Sequence, residues 1–87
     1  MLKVSSKTEP KKLAGAILHA MRENSGTVDL LTIGAGAVNQ AVKAIAIANR
    51  ISSEKSGRKV RAVPGFKDME MQDGRQVTAI KFTVLAS

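Results

Sequence analysis

The sequence predicts an α+β fold, a two-layer β-α-β-α-β-β sandwich. Its four-stranded mixed sheet carries two helices on one face and ends in a C-terminal β-hairpin. Three observations predict it. Two short apolar strands are each followed by a helix-period segment. A glycine turn, Gly34-Ala35-Gly36, joins the second strand to an alanine-rich helix. Asp73-Gly74 separates two alternating runs, the pattern of a tight hairpin. One domain over residues 1–87 accommodates all of this.

Leu2 to Ser6 alternates and is read as the first strand, with Leu2 and Val4 inward. Thr8 is the expected helix N-cap, and Pro10 suits the first turn. The first helix then runs to about Glu23 with an apolar arc of Leu13, Ala14, Ile17, Leu18, Ala20 and Met21. Asn24-Ser25-Gly26 is its stop. Val28 to Ile33 is apolar at both parities, so it is expected to be central in the sheet. Ser52 to Gly57 has loop composition. Arg58 to Val63 is a third strand, and Pro64-Gly65 suggests an edge strand with a bend or bulge. Phe66 to Gln72 and Gln76 to Leu85 form the hairpin.

The second helix organises the chain. At 100° per residue, Val38, Ala41, Val42, Ile45 and Ala46 form one apolar stripe, expected to face the sheet. Ala44, Ile47 and Ile51, with Gln40 beside them, form an apolar back. A helix apolar on nearly every side is normally covered on nearly every side. These residues are therefore read as a homodimer interface, with scattered surface apolars as the alternative.

Fourteen Lys and Arg against seven Asp and Glu give a formal charge of +7. This favours polyanionic partners. Phe66 and Phe82 are the only aromatics, so no base-stacking platform exists and nucleic-acid contacts should go mainly to phosphates. Without cysteine there is neither a disulfide nor a thiolate metal site. With no signal peptide and no apolar run long enough for a bilayer, a soluble cytoplasmic protein is expected.

The candidate phosphate contacts are Lys7, Lys11, Lys12, Gly36, Asn39, Gln40, Lys43, Lys67 and Arg75. Lys7, Lys11 and Lys12 surround a helix start, where cations gain nothing from the helix dipole. Gly36 opens the second helix, whose N–H groups can meet a phosphate. Asn39 and Gln40 suit phosphates or base edges, and equally suit capping or bonds across a dimer. Lys43 is either a phosphate contact or a solvated flank lysine. Lys67 and Arg75 either track a backbone or discourage edge pairing. The glycine turn lacks the third glycine of a dinucleotide motif, which would fall at Asn39. His19 reads as a surface residue, and no paired carboxylates or metal loop are seen. No catalytic residue, cofactor, metal or small-molecule substrate is expected.

Several segments together resemble the stage V sporulation protein S family. They are Leu2-Lys3-Val4-Ser5 with Lys7 and Pro10, Ala14-Gly15-Ala16, Ile33 to Ala37, Asn39 to Ala44, Ala46-Ile47-Ala48, Pro64 with Phe66 and Asp68, Gly74, and Thr78 to Lys81. That family is similar to the Alba chromatin proteins. The resemblance implies an Alba-like fold, usually dimeric. It also implies nucleic-acid contacts from the first loop, the start of the second helix and the hairpin arm. This chain departs from the Alba pattern at Gly36 and Gln40, where Alba carries basic residues. The family resemblance further implies a role in sporulation: spore dehydration, coat assembly and septation control. The resulting expectation is a non-enzymatic regulator that binds DNA or RNA with weak sequence preference. The alternative is a protein-interaction module in developmental regulation.

Overall fold

A computed structural model describes residues 1–87. Its elements are β1 (Leu2–Val4), α1 (Pro10–Glu23), β2 (Thr27–Thr32), α2 (Ala35–Ser56), β3 (Val60–Glu70) and β4 (Gln76–Ala86). They form one four-stranded sheet in the order β1-β2-β4-β3. β1 is parallel to β2, and the remaining pairs are antiparallel. The expected architecture is present, with β2 inside the sheet and β3 at an edge. No helix is long and apolar enough to cross a membrane.

Alternation along the strands defines two sheet faces. Leu30, Val28, Phe82 and Val84 point to the helices and are buried with Leu13, Ala14, Ile17 and Met21 of α1. Thr32 is the buried polar residue of this layer; its hydroxyl donates to the Ile80 carbonyl at 2.9 Å. Every buried side-chain polar atom has a hydrogen-bond partner, so burial leaves none of them stripped of water without compensation.

Local chemistry corrects several expected boundaries. β1 ends at Val4 because Ser5 to Thr8 closes a turn: Thr8 N–H donates to the Ser5 carbonyl at 3.1 Å, and Ser5 N–H to Thr8 Oγ1 at 2.9 Å. The Thr8 hydroxyl is thereby engaged in the loop, so Glu9 takes the N-cap position without a side-chain cap, and Pro10 begins the helix. α1 stops as expected, with Gly26 N–H on the Met21 carbonyl at 2.7 Å and Ser25 at φ 58°.

Ser52 to Ser56 is helix, not loop. Asn49 Oδ1 accepts from Ser53 Oγ at 3.4 Å and from the Val60 amide at 2.9 Å, which ties the last turns to β3. Gly57, at φ 73°, ends α2. Pro64 makes no bulge either. The β3–β4 register runs one-to-one from Val60↔Ala86 to Glu70↔Gln76, and the missing proline N–H is tolerated at an edge. The hairpin closes through Met71 N–H to the Arg75 carbonyl at 2.8 Å, with Gly74 at φ 84°.

The largest correction concerns the rotation of α2. Its buried residues are Ala37, Ala41, Ala44 and Ala48. Val38, Ile45 and Ile47 flank them, half-buried against the core. Val42 is 51% exposed, and Ala46 is also exposed. Two helices and a sheet meet at this line, and only side chains as small as alanine let the backbones approach so closely. Larger aliphatics are displaced to the sides. Ala44, expected to face a partner, is instead 0% exposed inside its own protomer.

Candidate nucleic-acid interface

The first loop and the start of α2 form a single structural unit. Gln40 Nε2 donates to the Thr8 carbonyl at 3.1 Å, which fixes the entry of α1 against the second turn of α2. One turn earlier, a Cβ on Gly36 would lie 2.7 Å from the Ser6 Cβ. Glycine there is the condition for the loop to lie on the helix. The absence of basic residues at positions 36 and 40 thus has a packing reason. Both residues hold the loop in place, and the Gln40 amide donates inside the protomer.

The start of α2 is rich in unsatisfied donors. Gly34, at φ 92°, is an N-cap with no side-chain oxygen, and no acidic residue occupies the first turn. The first intrahelical bond is Val38 N–H to the Gly34 carbonyl at 3.1 Å, so the N–H groups of Ala35, Gly36 and Ala37 are the orphan donors. Gly34, Gly36 and Ala37 line a crevice of about 600 Å3 together with Lys3, Ser5, Ser6, Ile33 and Met71. The helix dipole adds positive potential at this end.

Cations gather around the unit. Lys7 and Lys11 flank the Thr8 carbonyl held by Gln40 and are exposed. Lys43 follows Gln40 by three residues on the same flank of α2, and Asn39 lies four residues before Lys43, also exposed. Ion pairing sorts the remaining candidates. Lys12 pairs with Glu9 at 3.2 Å, and Arg75 with Asp73 at 2.6 Å; these are the two salt bridges of the protein. Both are exposed and thus weak. Lys7, Lys11 and Lys43 have no carboxylate partner.

The hairpin candidates lie elsewhere. Lys67 opposes Ala79, and strand alternation turns it to the sheet face away from the helices. Arg75 sits at the hairpin tip, beyond the end of β2. Of the expected dimer residues, Ala44 is buried and Ile47 packs on the core of its own protomer, Gln40 bonds to the loop before α1, and Ile51 is half-buried. The large exposed apolars are different ones: Phe66, 82% exposed, then Met1, Val63, Val42 and Ile33. Sequence reading misses Val42 as an outward residue and Asn49 as a tether. Asn49 follows three turns of apolar helix, a signal that an internal amide has a task within the fold.

His19 is exposed on α1, and no cluster of three or more His, Asp or Glu is placed to hold a metal.

Fold and site together define a small, basic, two-layer α+β domain in which the loop before α1 is bonded to the first turns of α2. Over residues 1–87, the whole chain, the sequence matches the family model for stage V sporulation protein S. The protein belongs to that family and is a sporulation-related protein.

Proposed function

We propose that this protein is a non-enzymatic regulator that binds nucleic acid through phosphate contacts with weak sequence preference. One observation supports the reading: the Gln40–Thr8 bond ties the loop next to Lys7 and Lys11 to α2, which bears Lys43, and none of the three lysines has a carboxylate partner. Backbone N–H groups and lysines hold phosphates without reading bases. The Alba-like arrangement supports the same reading by fold analogy, which alone establishes no function.

We further propose a homodimer that covers Val42 and Phe66 instead of the Ala44 stripe. The half-buried Val38 lies one turn before Val42, and Asn49, two turns after it on the same flank, bonds to the edge strand that carries Phe66. Sedimentation of Val42→Asp with Phe66→Asp is expected to show a folded monomer where the parent protein is a dimer. A monomeric parent protein would remove the dimer.

Binding is tested by mobility shifts of duplex and single-stranded DNA and RNA over a salt series. Replacing Lys7, Lys11 and Lys43 by Gln should flatten the dependence of log K on log salt by about 2.7, since each neutralised duplex phosphate contributes about 0.9. Failure of the parent protein to bind any of the four polymers at low salt overturns the proposal.

A further inference from the structure

Strand alternation sorts the charges of the sheet. On β3 the positions turned to the helix side include Asp68 and Glu70, whereas those turned to the open face include Arg61 and Lys67. On β4 the charged residue, Lys81, also takes the open face, and β1 adds Lys3. The acidic residue there is Asp29, opposite Thr83. None of the four cations belongs to either salt bridge.

The register places them in a band. Lys3, Leu31, Lys81 and Gly65 stand in one row across the four strands. Lys67 follows Gly65 by two residues and so shares its face. Adjacent strands lie about 4.8 Å apart, which puts the backbones of Lys3 and Lys81 about 10 Å apart, with β3 one strand beyond. On the same face Leu31 and Ala79 are buried, Met69, Val77 and Leu85 are half-buried, and Val63 is the one large apolar residue left exposed, so the cations stand above an apolar floor.

We propose that this open face is a second polyanion surface, laid against the sugar-phosphate backbone of a nucleic-acid duplex. A single strand would need aromatic rings for its bases, and both phenylalanines lie on the helix side: Phe82 opposite Leu30, Phe66 opposite Ile80. A lipid surface would need a contiguous apolar area to insert. A duplex needs only fixed cations at intervals, which the band supplies. The face lies across the sheet from Lys7, Lys11 and Lys43, so a protomer presents cations on both sides and can hold two duplex segments.

The test is independent of the loop-and-helix reading. A short DNA duplex is titrated over a salt series with the parent protein, with Arg61→Gln/Lys67→Gln/Lys81→Gln, which leaves Lys3 at the edge of the α2 crevice untouched, and with Lys7→Gln/Lys11→Gln/Lys43→Gln. The sheet variant should bind roughly tenfold or more weakly at low salt and flatten the log–log slope by about 2.7. Circular dichroism checks that the variants fold; Arg61→Gln/Lys67→Gln on the edge strand is the second variant if the triple one does not. An unchanged affinity and slope for a folded sheet variant overturns the proposal, whatever the loop variant does. Binding to anionic vesicles with none to the duplex also overturns it. Loss in the sheet variant alone supports it and removes the loop-and-helix reading instead.

Discussion

The two helices of this protein solve the same packing problem in opposite ways. α1 fills its seat with size: Leu13, Ile17 and Met21 enter the core, and its outer side is charged. α2 fits by lacking size. Four alanines face inward, while valines and isoleucines ride on the flanks. The contrast teaches that hydrophobicity points a helix inward only when one side is clearly polar. Where nearly every side is apolar, backbone distance decides, and the smallest side chains go where the layers are closest.

Four substitutions would break or sharpen this contrast. The largest effect is expected for Ile17→Ala, which empties a fully buried site in the helix that packs by volume. It should lose about 3 kcal/mol of stability by urea unfolding. Ala44→Leu comes next, at a loss of about 2 kcal/mol, because the enclosed site has no room for the added carbons. Gly36→Ala, whose new Cβ meets Ser6, should lose about 1 kcal/mol. Removing the Ser6 side chain in the same protein should recover most of that loss, a coupling that a double-mutant cycle reads directly. The smallest effect belongs to Ala46→Leu, a position the hydrophobic pattern turns inward but the fold leaves exposed, which should stay within about 0.5 kcal/mol. If Ala44→Leu were neutral and Ala46→Leu costly, the helix would be rotated as its hydrophobic pattern first suggests.

The legibility of the fold follows from the same contrast. The succession of elements along the chain, the central β2, the edge position of β3 and the hairpin turn are readable because alternation, Pro64 and Asp73-Gly74 act locally. The amphipathic face of α1 is readable because its polar arc is unambiguous. The rotation of α2 is not, since summing apolar residues cannot rank alanine above valine at a close approach. The end of α2 is misread because Ser52 to Gly57 looks like a loop until Asn49 is seen to hold β3. At the site, sequence places Lys7, Lys11, Asn39 and Lys43 among the candidates. It does not show that Gln40 serves Thr8, that Gly36 serves Ser6, or that Lys67 faces the other way, because each depends on the pairing of distant segments.

The proposed phosphate grip rests on one arrangement, the loop before α1 clamped to the open start of α2. Titration of a DNA duplex into the 15N-labelled protein, followed by amide shifts, tests it most directly. The predicted result is salt-sensitive shifts at Ser6 to Lys11 and at Gly34 to Lys43, with Ala35, Gly36 and Ala37 among the largest. Amides in those two segments that stay still while the duplex is bound would contradict it.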